Sequence, residues 1–282
     1  MIDLHLHTTA SDGSLEPDAL VEAAYGAGVR TLSVTDHDTM AGVPVAASRA
    51  KDLGLEFLPG VEITAVLGRQ DVHILGYFLD INPPGLDRFL DAQCEDRVDR
   101  ARMMAGRLAD LGAPIDVDAL IDQAESAGHV VGRPLIARFL VDAGHVRSER
   151  EAFERWLGDE RPAYVPRRGR SPGEVLRLIS RAGGVSALAH PGLLRRDELI
   201  PSLSRVGLTA LEVYHSAHDR SKQDYYARLA AQHGLAVSGG SDYHGDQHHR
   251  AKFLGAIGPS HDAFVLFRKR LHQAHSVLHG EV

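Results

Sequence analysis

His5 and His7 stand two residues apart in an alternating stretch, Ile2 to His7, that reads as an opening β-strand, so both imidazoles leave one face. Leu4 and Leu6 leave the other. Paired imidazoles pointing inward are costly unless hydrogen-bonded or coordinated, so metal ligation is the first chemistry the pattern suggests. A hydrogen-bonded pair of core histidines fits His-x-His equally well. More side chains of the same kind follow. Asp12 lies just after the first strand, Asp36-His37-Asp38 ends the second, Glu62 stands near the end of the third, and His73 lies within the fourth. His190 follows the fifth in Ala189-His190-Pro191, and Asp242 and His244 follow the seventh.

The elements that must position these groups alternate in type. Strands are expected at Ile2 to His7, Thr31 to Thr35, Glu56 to Ile63, Val72 to Leu79, Val185 to Ala189, Leu208 to Tyr214 and Leu235 to Ser238. Helices are expected between them, including Asp18 to Ala27, Gly42 to Leu53, Glu174 to Arg181 and Lys222 to His233, with a last helix from His261. Seven strands alternating with helices predict an α/β fold, a parallel sheet closed or nearly closed into a barrel. In such a barrel the carboxyl ends of the strands converge on one rim, which gathers the residues above in one place.

The middle of the chain departs from this rhythm. From Glu95 to Pro162 only helical patterns occur: Arg97 to Leu111, Val117 to Ala127, Pro134 to Ala143 and Glu149 to Leu157. Gly112, Gly128, Gly144 and Gly158 each stand where a C-terminal cap would. The expected organisation is a first barrel segment, 1–95, a helical insertion over 96–165 that serves as a substrate-recognition lid, and a second barrel segment, 166–282.

Composition narrows the function classes. The 17 histidines outnumber the 8 Phe, 7 Tyr and 1 Trp together, in a chain whose 44% hydrophobic and 24% charged content is that of a globular protein. The single cysteine, Cys94, excludes an internal disulfide and any multi-cysteine metal site. A net charge of −7 leaves no broad basic face for duplex DNA, although a local basic pocket would still hold a small phosphorylated ligand or a short oligonucleotide. The start, Met1-Ile2-Asp3-Leu4-His5, carries no cationic leader, and no apolar run nears the roughly 18 residues of a membrane helix. A cytoplasmic protein with no membrane contact and no obligate protein partner is expected. Gly239-Gly240-Ser241-Asp242 lacks the order of a serine nucleophile elbow, and neither a P-loop nor a dinucleotide fingerprint is present.

The motifs His5-x-His7, Ser11-Asp12-Gly13, Thr35-Asp36-His37-Asp38, Gly60-Val61-Glu62, Ala189-His190-Pro191 and Ser241-Asp242-x-His244 resemble those of the PHP (polymerase and histidinol phosphatase) superfamily of metal-dependent phosphoesterases. The likeness runs along the whole chain. The helical insertion and Gly132-Arg133-Pro134 resemble the branch that hydrolyses nucleoside 3′,5′-bisphosphates and, in some members, short 5′-phosphorylated RNA from its 5′ end. The resemblance implies a distorted seven-stranded barrel and three ions. His5, His7, Glu62 and Asp242 would hold one, Glu62 with His73 and His190 a second, and Asp12, His37 and His244 a third. Some members show only two ions, so occupancy of the His73–His190 site is open. Mixed imidazole and carboxylate ligation suits Mn²⁺, Zn²⁺ or Fe²⁺, with Mn²⁺ favoured.

The chemistry implied is attack by a metal-bound hydroxide on a phosphate ester whose charge the ions neutralise. A bisphosphate needs a second anion site, for which Arg133 is the first candidate by resemblance. Arg161, Arg167, Arg168 and Arg170 form a basic return segment read mainly as a solvated face, with Arg161 a candidate second anchor. Related sequences commonly carry Gly-Lys-Pro where this chain has Glu160-Arg161-Pro162. His215 and Ser216, after the sixth strand, are candidate substrate contacts, His215 also a candidate proton donor, and His129 could reach the same ligand. The other histidines, among them His272 and His275, read as solvated or structural. Histidinol phosphatase or another small-molecule phosphatase is the alternative within the superfamily. An amidohydrolase would leave Asp12 and Glu62 without roles, and a non-catalytic metal-stabilised module would not need an open rim.

Overall fold

The computed structural model describes residues 1–280, so the last two positions of the second barrel segment lie outside the described residues. Strand β1 (Ile2–Leu6) pairs in parallel with β2 (Thr31–Val34), and β2 with the short β3 (Glu56–Phe57). A second sheet follows the order β4 (Gly60–Leu67), β5 (Gln70–Tyr77), β6 (Val185–Leu188), β7 (Ala210–His215), β8 (Ala236–Gly240). The two sheets meet through two isolated parallel bridges, Leu6 to Tyr243 between β1 and the end of β8, and His37 to Glu62 between the extension of β2 and β4. Gly240 permits the first approach: a Cβ there would stand 2.4 Å from the amide nitrogen of His5.

Two expectations are corrected. The stretch expected as one strand from Glu56 to Ile63 breaks at Leu58-Pro59 into β3 and β4, giving eight strands in sheets of three and five. The sheet is also not wholly parallel, because β5 runs antiparallel to both β4 and β6. The cause is local. Leu67 pairs with Gln70 across a two-residue turn, and Gly68 takes the left-handed conformation (φ +67°) that such a hairpin favours.

Helices α1 (Pro17–Gly26) and α2 (Val43–Asp52) lie close to the expected spans and end before Gly28 and Gly54, both at positive φ. The inserted segment comprises α3 (Asp87–Asp110), α4 (Val117–Ser126), α5 (Arg133–Asp142) and α6 (Glu149–Ala152), the last continuing as a π-helical turn through Leu157. Gly112, Gly128 and Gly144 are left-handed after their helices, but Gly158 is extended (φ −64°), its amide donating to the Phe153 carbonyl. Helix α3 starts ten residues earlier than Arg97: Leu90 packs with the sheet core, while Ala101, Met104 and Leu108 join a separate core with Leu120, Ile136, Leu140 and Leu157. Each fully buried leucine there contributes about 1.5–3 kcal/mol. Helices α7 (Pro172–Arg181), α8 (Pro191–Leu194), α9 (Leu199–Arg205), α10 (Arg220–Gln232) and α11 (His261–His279) pack around the second sheet, α7 opened by a capping box of Ser171 and Glu174. Among the described residues no helix is long and apolar enough to cross a membrane.

Candidate active site

Strands and the loops that follow them bring the nine singled-out metal-type residues into one cluster with Glu62 at its centre. Glu62, expected near a strand's end, is instead the third residue of β4, because the chain breaks at Leu58-Pro59 and a new strand starts at Gly60. Glu62 Oε2 lies 3.3 Å from His5 Nε2, 3.3 Å from His7 Nε2 and 3.1 Å from His37 Nδ1. Its Oε1 is 2.8 Å from His73 Nδ1 and 3.0 Å from His190 Nε2. Asp242 Oδ1 is within 3.5 Å of His5, His7 and His244. Asp12 lies 3.3 Å from His244, 3.7 Å from His7 and 3.8 Å from His37. In four places of the cluster the donor atoms of at least three residues lie within 4.8 Å of one another: His7, Asp12, His37 and His244; His5, His7 and Asp242; His37, Glu62 and His73; His5, Glu212 and His215.

The backbone is shaped around this cluster. Asp38, His190 and Asp242 all adopt positive φ (+54°, +29° and +55°), a conformation non-glycine residues rarely hold without support. The support is visible. Thr64 donates its amide to Asp38 Oδ1 at 2.7 Å, Glu212 Oε2 accepts the His190 amide at 2.6 Å, and the Asp242 amide donates to the His5 carbonyl. Asp36 anchors the loop that carries Asp12, its oxygens accepting from the Thr8 amide (2.7 Å), the Thr8 hydroxyl (2.6 Å) and the Ser11 hydroxyl (2.6 Å).

Electrostatically the cluster is a buried cage that calls for positive charge. Burial opposes ionisation of Glu62, yet the imidazoles of His37, His73 and His5 hold its carboxyl well below the usual range. Asp12 and Asp242 are held low against burial in the same way, by His244 and His37 and by His5 and His244. Burial disfavours charge on His7, but Asp242 and Glu62 push its pKa up to about 10. Burial dominates at His37, which falls to about 3. The donor set fits divalent cations on a second observation: His7 Nδ1, His37 Nδ1 and His190 Nδ1 are buried ring nitrogens without a hydrogen-bond partner. Of these, His37 Nδ1 faces Glu62 Oε2 at 3.1 Å, whereas His7 and His190 turn Nε2 toward Glu62.

A cavity of about 420 Å³ opens beside the cluster, bounded on one side by Asp12, His37 and His73 and on the other by the inserted helices. Arg97, Arg133, Arg138 and Arg167 line it, as does His129. Arg133 pairs with Asp159 at 2.8 Å, donates to the Leu157 carbonyl at 3.3 Å, and lies over the rings of Phe153 and Tyr164. Arg167, expected to be a solvated member of the return segment, is instead largely buried and pairs with Asp71 at 3.0 Å. Arg161 is exposed and lines no cavity beside the cluster. The residue before it, Glu160, is left-handed (φ +64°).

His215 and Ser216 are also placed differently from expectation. His215 is fully buried; its Nδ1 accepts the Ala217 amide at 3.0 Å, which leaves Nε2 to donate to Asp242 Oδ2 at 3.0 Å. It is bound to Asp242 Oδ2 and does not line the cavity, nor does Ser216. Sequence reasoning missed three partners of the cluster. Glu212 accepts from His5 Nδ1 at 2.8 Å, Arg250 pairs with Asp242, and Arg97 holds Asp38 through Nε at 2.9 Å and Nη2. Glu212 did carry a signal, an acid between Leu211 and Val213 in a strand buried on both faces.

Comparison with known proteins gives this geometry a family. The PHP domain matches residues 3–134. The 5′-3′ exoribonuclease Rnm of Escherichia coli is 36% identical over 249 residues, covering 86% of this chain and 84% of that protein. The chain belongs to the PHP family. It is a metal-dependent phosphoesterase. The 3′,5′-nucleoside bisphosphate phosphatase of Chromobacterium violaceum is 34% identical over 248 residues, covering 86% of this chain and 87% of that one. A solved chain from Bifidobacterium adolescentis, described as a metal-dependent phosphoesterase, superposes with a TM-score of 0.85 at 33% identity, covering 95% of both chains. A second, from C. violaceum, is described as an amidohydrolase with bound sulfate and no metal; its TM-score is 0.83 at 31% identity, covering 95% of this chain and 96% of that one.

Proposed function

We propose that this protein removes the 3′-phosphate from nucleoside 3′,5′-bisphosphates and, with the same machinery, releases mononucleotides from the 5′ end of short 5′-phosphorylated RNA. One observation carries this reading: a histidine–carboxylate cluster and a wall of arginines face each other across a single cavity. A cation cage alone suits many phosphoesters. An opposing anion site selects a substrate with two phosphates, as the named substrates of the bisphosphate phosphatase and of the exoribonuclease relatives both have. The sulfate in the C. violaceum neighbour supports an oxyanion ligand for this fold, and Asp12 and Glu62 have roles here that an amidohydrolase would not give them.

His5, His7, Glu62 and Asp242 would hold one ion, Glu62, His73 and His190 a second, and Asp12, His37 and His244 a third, with Mn²⁺ favoured over Zn²⁺ or Fe²⁺. Divalent ions there would neutralise the phosphoryl oxygens and acidify water, which is what lets hydrolysis run near neutral pH. The chain supplies the rest. Arg133 and Arg167 receive the second phosphate, Arg133 exchanging Asp159 for it; a planar guanidinium matches phosphate oxygens in pairs. His129 contacts the nucleoside between. His215 and Glu212 are positioning residues: one holds the outer oxygen of Asp242, the other fixes the ring of His5.

The insertion over 96–165 forms the lid side of the cavity, supported by its own buried core. The strands form a distorted barrel on this reading: the two bridges complete a ring β1-β2-β4-β5-β6-β7-β8 of seven strands, with β3 outside it. The test is a substrate panel with Mn²⁺: adenosine 3′,5′-bisphosphate, histidinol phosphate and short 5′-phosphorylated RNA. Turnover of the first and third is expected, and histidinol phosphate as the best substrate would reject the assignment.

A further inference from the structure

Hydrolysis of either proposed substrate breaks the same bond, between phosphorus and the 3′ oxygen of the first nucleotide. Water gives its oxygen to phosphorus and a proton to the departing 3′ oxygen. From a bisphosphate the other product is inorganic phosphate; from RNA it is the shortened chain, still 5′-phosphorylated. The first nucleotide and its 5′-phosphate occupy the arginine-lined cavity in both cases. The RNA needs further room on the opposite side of the scissile phosphate.

A second cavity of about 580 Å³ adjoins the first at the cluster. It shares Asp71, His73 and Arg133 with the first, and it reaches the cluster through His190. His73 therefore stands between the two spaces. The outer walls come from the β4–β5 turn, from α8 and its continuation, and from the segment after the π turn. Two of these walls are tied together: Arg196 Nη1 donates to Gln70 Oε1 at 3.0 Å, and Gln70 Nε2 donates to the Leu194 carbonyl at 3.2 Å. The lining is mixed. Leu67, Leu193 and Leu194 are apolar, and Leu193 is 45% exposed. Asp71 and Asp159 are already engaged by Arg167 and Arg133, whereas Arg69 has no ion pair among the described residues and Glu160 likewise has none. So balanced a charge would not concentrate free phosphate. It suits a nucleotide already tethered at the cluster, with its base on the leucines and its backbone beside Arg69.

We propose that this second cavity receives the nucleotide on the 3′ side of the scissile phosphate, and so sets how well RNA is used relative to a bisphosphate. The inference rests on the function proposed above. Its test uses the Mn²⁺-loaded full chain carrying Leu193→Asp or Arg69→Glu, both at exposed positions, with adenosine 3′,5′-bisphosphate and a 5′-phosphorylated RNA trimer assayed side by side. We expect kcat/KM on the trimer to fall about tenfold, the scale of one lost base contact, while bisphosphate turnover stays within about twofold. Equal losses on both substrates, or no loss on either, would overturn the subsite. A wild-type protein that hydrolyses the bisphosphate but not the trimer would also overturn it and leave the phosphatase reading intact. Failure of the wild type on both substrates would instead reject the function on which the subsite depends.

Discussion

The two walls of the cavity are built on opposite plans. On the sheet side, acids at strand ends are ringed by imidazoles, and the carboxyl groups of Glu62, Asp12 and Asp242 are held low even though burial works against them. On the insertion side, guanidinium groups from helices and a return segment are paired with acids: Arg97 with Asp38, Arg133 with Asp159, Arg138 with Glu149, and Arg167 with Asp71 and, at 3.8 Å, Asp38. Arg167 is pushed down to about 10, by burial first and then by Arg97 close by. One wall keeps its carboxylates ionised against burial through the imidazoles packed around them. The other keeps its positive charge paired. On the function proposed above, an anion would displace the partner acid there, so a substrate anionic at both ends would engage both walls and a single phosphate only the first.

That contrast breaks most visibly on the cation wall. Asp242 touches His5, His7, His215 and His244, so its removal takes a carboxylate from the shared centre of the cluster. Asp242→Ala should lower phosphatase kcat by about 10³-fold or more, because several kcal/mol of charge stabilisation depends on the ions staying in place. Chelation of the wild type should do the same and be reversed by Mn²⁺. Metal content and rate, measured together, check both, and a variant that keeps full activity with fewer ions would show that the cluster is not the reacting centre.

The anion wall should respond selectively. Arg133→Ala is expected to reduce kcat/KM on a nucleoside bisphosphate by about 10- to 100-fold, the worth of charge-assisted hydrogen bonds to a phosphate. Turnover of a simple aryl phosphate, which has nothing to place against that wall, should change by less than about threefold. Parallel losses on both substrates would merge the two walls into one functional unit.

The cation wall is legible in the sequence and the anion wall much less so, for a physical reason. A histidine or carboxylate at the end of a predicted strand has its position fixed by local periodicity, and a rim collects such ends whatever the details of packing. The reading survives errors in strand count and direction: His73 still reaches Glu62 although β5 runs antiparallel. The arginines depend instead on how long helices pack. Gln93, Arg97 and Arg100 on α3 are all buried by that packing, bonded to the Thr64 carbonyl, to Asp38 and to the Val165 carbonyl. Arg161 and Arg167 are six residues apart in one segment, and only the fold decides that the second faces inward. His215 shows the same limit on the other wall, since placement at a strand end does not say which way the ring turns.

Arg97 couples the walls and gives a smaller, structural test. It reaches from α3 to Asp38, next to His37, and also donates to the Val131 carbonyl at 3.3 Å. Arg97→Met leaves the buried Asp38 without its main partner, and loss of one member of such a pair typically costs about 3–5 kcal/mol. Burial alone would raise the pKa of Asp38, but Arg97 and Arg167 lower it. The pair therefore contributes stability in full above the unfolded aspartate pKa, about 3.9, and loses it as pH falls through the lower folded value. Denaturant titrations at pH 7 and at acid pH should show the variant's deficit shrinking on acidification. A pH-independent deficit would mean that packing, not charge, joins the walls.

The smallest expected effect falls outside both walls. His275 and His279 on α11 stand 3.5 and 3.8 Å from Asp80 at the surface, a second meeting of imidazoles with a carboxylate. They share neither cavity with the cluster, and Asp80 and His279 are exposed. Exposed pairs of this kind contribute about 0–1 kcal/mol. His275→Ala should accordingly leave kcat, KM and the Mn²⁺ dependence of turnover unchanged. The comparison gains its edge here, because the same residue types differ in consequence only through burial and convergence on the rim. A marked loss of activity in this variant would show that composition in histidine, rather than position at the strand ends, had been taken for the site.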